Sequence, residues 1–129
     1  MKSLLTILTL VSTVMFSSTS YAEWTEMVKN VYGSTHYVDF ERIRKHDGYV
    51  YYWVLQDYLK PTKHGDLSGK TYIQGDCKLF RYKTLSYIFH KLPMGRDVGE
   101  THNNKNPEWV YTPPRKTPAE TILSEVCSR

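Results

Sequence analysis

The sequence predicts an α+β domain: an antiparallel β-sheet of five to six strands, with one carboxyl-terminal helix packed on it and tied by a disulfide. Three observations predict it. Stretches rich in Tyr, Val, Ile and Trp recur between Gly, Pro and Asp punctuation from Trp24 to Tyr111. Residues 117–127 carry a helix-start signal followed by an apolar stripe at helical spacing. Two cysteines, Cys77 and Cys127, stand one among the strands and one at the end of that helix.

The first segment is expected to leave before folding. Lys2 begins a short positive region, residues 4–16 form an apolar run broken only by Thr and Ser, and Ser20-Tyr21-Ala22 offers small residues at the two positions a signal peptidase inspects. Residues 1–22 read as a signal peptide cleaved after Ala22, leaving residues 23–129 as a single domain. The apolar run is shorter than the roughly 20 residues of a membrane helix, and no later run is long enough, so the mature chain is expected to lack a transmembrane segment. No cysteine stands near the cut, and the product is not expected to be a lipoprotein.

Residues 23–31, with Trp24, Met27, Val28 and Val31, read as a first strand, with helical spacing as the rival. Gly33-Ser34 ends it. Residues 35–39 form a short second strand, continued by a third over residues 40–45 around Ile43. His46-Asp47-Gly48 is a hairpin turn of the Asp-Gly type. Residues 49–59 are the clearest strand, with Val50, Tyr52 and Val54 on one face and Tyr51, Trp53 and Leu55 on the other. Apolar groups on both faces place it centrally. Residues 60–70, with Pro61, Gly65 and Gly69, read as a loop. Two strand segments follow, 71–75 and 77–90, separated by a bulge or bend at Gly75-Asp76. Residues 91–107 read as a loop and 108–111 as a short last strand stopped by Pro113-Pro114. Thr117 as N-cap, Pro118 at the first helical position and Glu120 two residues on make a capping box. Ala119, Ile122, Leu123 and Val126 then form one apolar face, with Cys127 at its border.

An exported chain meets an oxidising compartment, so the even pair Cys77 and Cys127 reads as one disulfide. A zinc site and a reactive thiol are the rivals, but two distant thiols without a CxxC or HxxxH spacing fit zinc poorly. No GxSxG, HExxH, P-loop or GxGxxG occurs, and His36, His46, His64, His90 and His102 show no paired ligand spacing. No enzyme, cofactor or metal is expected. Tyr49, Tyr51, Tyr52, Trp53, Tyr58 and Tyr82 put many rings on adjoining strands. They serve either core and cross-strand packing or an exposed aromatic face that recognises a partner. Trp24, Trp53 and Trp109 are expected in the core. The net charge of +4 is modest. Basic residues gather at Lys60, Lys63, His64 and Lys70, at Arg42, Arg44 and Lys45, and at Arg115 and Lys116. Nucleic acid would need a denser stripe and a cytosolic setting, whereas an acidic partner such as a glycan, lipopolysaccharide or host matrix protein stays open.

Several landmarks occur in one order: Trp24, Tyr37-Val38-Asp39, Ile43, residues 51–58 (YYWVLQDY), Asp76-Cys77, a long aromatic strand ending near Gly95, Trp109-Val110, a proline-rich step and a helix from Glu120 to Cys127. This resembles the surface-adhesin protein E family of bacterial exported domains, over residues 24–127. The resemblance implies an antiparallel sheet with a disulfide-tied terminal helix, a surface role binding host matrix proteins such as vitronectin and laminin, and dimerisation. It also implies that the basic stretch before the strand cysteine binds the partner. Here that stretch is residues 60–70, holding Lys60, Lys63, His64 and Lys70, diluted by Asp66. The chain departs from the family in lacking a lipoprotein cysteine and a dense Lys/Arg tract. The expected function is an exported, non-enzymatic, adhesin-like module that recognises a protein or glycan through a basic loop and an aromatic surface. The alternative is a periplasmic envelope accessory protein without a host ligand. The expected location is the periplasm or the cell surface.

Overall fold

The computed structural model describes residues 22–112 and 117–129. Residues 1–21 of the expected signal peptide and the Pro113-Pro114 stop lie outside the described residues. Eight strands form one antiparallel sheet: β1 (Thr25–Lys29), β2 (Thr35–Val38), β3 (Arg44–His46), β4 (Tyr49–Asp57), β5 (Ser68–Asp76), β6 (Arg81–His90), β7 (Glu100–Asn103) and β8 (Val110–Tyr111). Their order across the sheet is β1-β2-β4-β5-β6-β7, with β3 beside β4 and β8 beside β6. The helix α1 (Pro118–Cys127) follows.

Local chemistry explains the joints. Asp47 and Gly48 both take positive φ, as a two-residue hairpin loop requires, and β3 pairs back on β4. Between β5 and β6, Asp76 organises the turn. Its Oδ1 accepts from the Lys78 and Leu79 N–H groups at 3.1 and 3.2 Å, and its Oδ2 accepts from Arg81 Nε at 2.9 Å. At the start of α1, Thr117 Oγ1 accepts from the Glu120 N–H at 3.2 Å. The expected capping box is only half made: Glu120 Oε2 is buried with no partner among the described residues.

The helix covers one face of the sheet. Ile122, Leu123 and Val126 press on Val38, Val50, Tyr52, Val54 and Ile73 to form the core, and their removal from water supplies the main stabilisation. Strand alternation sends Val50, Tyr52 and Val54 toward α1 and Tyr51, Trp53 and Leu55 away from it. Gly75 of β5 lies under the helix, where a Cβ would come within 2.8 Å of Leu123. The disulfide joins Cys77, in the β5–β6 turn, to Cys127, the last residue of α1, with the Cα atoms 5.7 Å apart.

The antiparallel sheet, single terminal helix and Cys77–Cys127 bridge are thus as the sequence predicts. Details differ. Residues 40–42 form a 3-10 turn, so the third strand is shorter than expected. β5 begins at Ser68, because Ser68, Gly69 and Lys70 pair with Asp57, Gln56 and Leu55; the loop after β4 is correspondingly shorter. The two segments expected at 71–75 and 77–90 are parted not by a bulge at Gly75-Asp76 but by a turn at residues 77–80, so the second strand starts at Arg81; the register irregularities fall instead between Tyr72 and Ile73 and, in β1, between Glu26 and Val28. The expected loop over residues 91–107 contains β7, whose polar Glu-Thr-His-Asn sequence gave no apolar alternation to read.

Candidate functional site: the helix-free face of the sheet

The face turned away from α1 carries Tyr51 and Trp53 from β4, Tyr72 from β5, and Trp24 and Trp109 from the segments flanking β1 and β8. Ring centroids lie 5.6 Å apart for Tyr49 and Trp109, 6.2 Å for Tyr51 and Tyr72, and 4.7 Å for Trp53 and Tyr72. Cations sit against these rings: the Arg81 guanidinium is 4.1 Å and the Lys83 ammonium 4.4 Å from the Trp109 centroid, and the Lys70 ammonium is 6.0 Å from that of Trp24. Such pairs hold rings in place through the aromatic quadrupole. The three tryptophans are half-buried on this face and are not in the core, contrary to expectation. The reason is geometric: one helix closes one face only, and the period of two in β4 puts Trp53 on the other.

One end of the face is closed by residues 91–99. The 3-10 turn Pro93–Gly95 folds over buried Leu55. Ser68 Oγ donates to the Leu92 carbonyl at 2.6 Å and accepts from the Gly95 N–H at 2.8 Å, while Asp57 Oδ1 accepts from the Met94 N–H at 2.8 Å. Lys70 Nζ donates to the Gly95 carbonyl at 3.2 Å. Burial pushes the Lys70 ammonium below its usual range, and nearby Asp97 works against that shift. Beside this closure lies a pocket of about 240 Å³ lined by Trp24, Trp53, Lys70, Ile88, Asp39, Arg42 and Ala22.

A larger groove of about 400 Å³ opens on the other face, beyond the helix start, where Tyr52, Tyr58, Tyr82, Tyr87 and Phe89 surround it. His36 Nδ1 is buried there with no partner among the described residues, and burial lowers the pKa of the ring against the effect of a hydrogen bond with the Val28 backbone.

The sequence-predicted binding residues divide. Lys60, Lys63 and His64 are exposed on the β4–β5 loop. Lys70 is not in that loop; it faces the helix-free side of β5, opposite Leu55. Lys91 joins the loop group unforeseen, donating to the His64 carbonyl at 2.6 Å and pairing with Asp66 at 2.8 Å. Asp66 is itself buried, so it dilutes the exposed charge less than its sequence position suggests. Asp39, Lys83 and the placement of Trp109 were missed. Their signal was weak: an aspartate directly after a strand, and alternation within a strand whose register was unknown. Among the described residues no group of three His, Cys, Asp or Glu side chains could hold a metal ion, and no helix is long and apolar enough to cross a membrane.

A sheet closed on one face by a disulfide-tied helix and left open on the other, with aromatic rings and cations on the open face, defines a small α+β domain with a recognition-type surface. The chain belongs to the surface-adhesin protein E family, whose sequence profile matches residues 24–128. It is accordingly an adhesin-like surface protein. Crystal form II of Haemophilus influenzae protein E shares the fold with a TM-score of 0.62 at 17% identity, covering 85% of this chain and 91% of that one. The selenomethionine form of the same protein gives 0.61 at 18% identity, covering 85% and 89%. Protein E from non-typeable Haemophilus influenzae gives 0.53 at 16%, covering 87% and 76%. No curated protein matches the chain by sequence.

Proposed function

We propose that the protein is an exported, non-enzymatic, adhesin-like module that holds an extracellular or envelope partner against the helix-free face of its sheet, assisted by Lys60, Lys63 and His64 on the neighbouring loop. The observation that carries this reading is the set of half-buried rings on that face, Trp109 against Tyr49 at one end, Tyr51, Tyr72 and Trp53 in the middle and Trp24 at the other end, with Arg81 and Lys83 beside Trp109 and Lys70 beside Trp24. Aromatic and cationic side chains are the groups most enriched where binding energy concentrates. Membership of a surface-adhesin family supports export, and the oxidised cysteine pair agrees with it. Residues 1–22 supply the proposed signal peptide, cut after Ala22. A homodimer is a further proposal from the family resemblance, checked by light scattering.

The test is binding of the purified protein to immobilised matrix proteins, vitronectin and laminin among them, at physiological salt. Lys60→Ala/Lys63→Ala is expected to slow association and weaken its salt dependence. Tyr51→Ala/Tyr72→Ala is expected to speed dissociation. Equal binding by the lysine variant removes the loop from the account. Recovery of the protein only in the periplasm, with no matrix binding, replaces the adhesin reading with the envelope-accessory one.

A further inference from the structure

The helix-free face holds one group that packing leaves unexplained. Asp39 directly follows β2, is 1% exposed, and has no hydrogen-bond partner for either carboxylate oxygen among the described residues. Arg42 Nε lies 3.4 Å from Oδ2 and offsets the charge without an aligned hydrogen bond. Buried carboxylates are as a rule satisfied by donors, and an unsatisfied one in a pocket calls for a ligand that brings them. Asp39 lines the 240 Å³ pocket together with Trp24, Trp53, Arg42 and Lys70. That volume is below the roughly 300–1,000 Å³ of drug-sized ligand sites and suits a single small ring.

These groups specify a ligand by chemistry. Indole faces accept the apolar C–H face of a pyranose through dispersion and their negative quadrupole. Buried carboxylate oxygens accept hydrogen bonds from adjacent hydroxyls. Guanidinium and ammonium groups attract carboxylate or sulfate. We propose that this pocket holds one sugar unit of an acidic glycan, and that Trp53, Tyr72 and Tyr51 carry the adjoining units along the sheet toward Trp109. Lys83 and Arg81 stand at that far end, and Lys83 makes no ion pair among the described residues. The inference rests on the binding face proposed above and names its partner class.

A nucleic-acid strand fits less well, since it carries a phosphate at every unit and one would meet the buried Asp39 carboxylate, whereas an acidic glycan can seat an uncharged unit there and keep its acid groups for the cations. A polypeptide hot spot usually fills its pockets with apolar anchors, whereas this pocket is lined by a buried carboxylate as well as by rings, and the cations stand at the two ends of the face. Ala22 lines the same pocket, so cleavage after it opens the pocket on that side, and the processed chain is the form to test.

The experiment uses the exported chain with its amino terminus verified by mass. Hyaluronan and heparin octasaccharides, as carboxylate and sulfate probes, are titrated against tryptophan fluorescence. Maltooctaose is the neutral control and polyglutamate the acidic peptide. Saturable binding of an acidic octasaccharide, weakened by salt and absent for maltooctaose, is the expected result. Trp24→Ala and Asp39→Asn should each weaken it by about tenfold or more. Trp24 precedes the edge strand β1, so its variant keeps the fold, as circular dichroism would verify, and it decides the matter if Asp39→Asn does not fold. No saturable binding of either acidic octasaccharide, binding untouched by Trp24→Ala, or equal binding of maltooctaose or polyglutamate overturns the proposal. Matrix-protein binding without glycan binding sinks the glycan alone; glycan binding without matrix-protein binding sinks the matrix partner alone.

Discussion

Gly75 offers a sharp test of how closely α1 sits on the sheet. An added Cβ there would lie 2.8 Å from Leu123 Cδ1, 2.9 Å from Val50 Cγ2 and 3.3 Å from Tyr52 Cε1. Carbon atoms prefer about 3.5–4.0 Å. The neighbours are 0%, 6% and 2% exposed, so none can swing into solvent. Gly75 does not take a positive φ, so alanine meets no backbone penalty and should gain about 0.4–1 kcal/mol from a stiffer unfolded chain. Overpacking costs about 1–3 kcal/mol. The difference spans about 0–2.6 kcal/mol, and close contact with three buried side chains places Gly75→Ala at roughly 1–2 kcal/mol within it. At about 4–8 °C per kcal/mol for a domain of this size, its Tm should fall by roughly 5–15 °C. Leu123→Ala, a core truncation, should cost about 2–5 kcal/mol. In the double variant the new methyl occupies part of the space Leu123 vacates, so the combined loss should fall short of the sum by about 1 kcal/mol. Thermal and urea unfolding followed by circular dichroism, all samples oxidised, measure these values. A Gly75→Ala protein as stable as the parent, with a strictly additive double variant, would refute the reasoning and place α1 farther from β5.

Two further outcomes follow from the same structure. The Cys77–Cys127 bridge spans 50 residues, and chain-entropy models give such a closure about 4 kcal/mol; the urea midpoint should drop sharply under reduction or in Cys77→Ser/Cys127→Ser, and an unchanged midpoint would show that the bridge adds nothing. Stability should also fall in acid in two stages. Burial, aided at His90 by Lys70, holds His36 and His90 below the usual 6.5, so the unfolded chain takes up protons first and stability declines as pH falls from about 6.5. Burial favours a higher pKa at Asp76, but the Arg81 hydrogen bond and the Leu79 and Lys78 N–H groups outweigh it and set the carboxyl below its usual 3.8. That stabilisation is complete above 3.8 and is lost as pH drops through the lower folded value. Urea midpoints measured from about pH 8 to pH 3 check both stages; a flat profile between about pH 7 and pH 5 would contradict the histidine stage.

Sequence alone determined what depends on near neighbours. Alternation over residues 49–57 marks β4 and sorts its two faces, Asp47-Gly48 dictates the hairpin, Thr117 and Pro118 start the helix, and the lone cysteine pair foretells the bridge. Each of these is a property of a few adjacent residues or of a count, so it survives without knowledge of the rest. Polar β7 escaped notice because its pairing is set by β6 across space, not by its own pattern. Lys70 looked like part of a flexible loop until its register with Leu55 put it on the sheet. Tertiary structure alone decided which face the helix would cover, and thereby turned three tryptophans expected in the core into half-exposed rings. It also gathered Trp24, Asp39, Trp53 and Lys70 around one pocket. These residues come from separate segments of the chain, and only strand pairing and the docking of α1 on the opposite face bring them together.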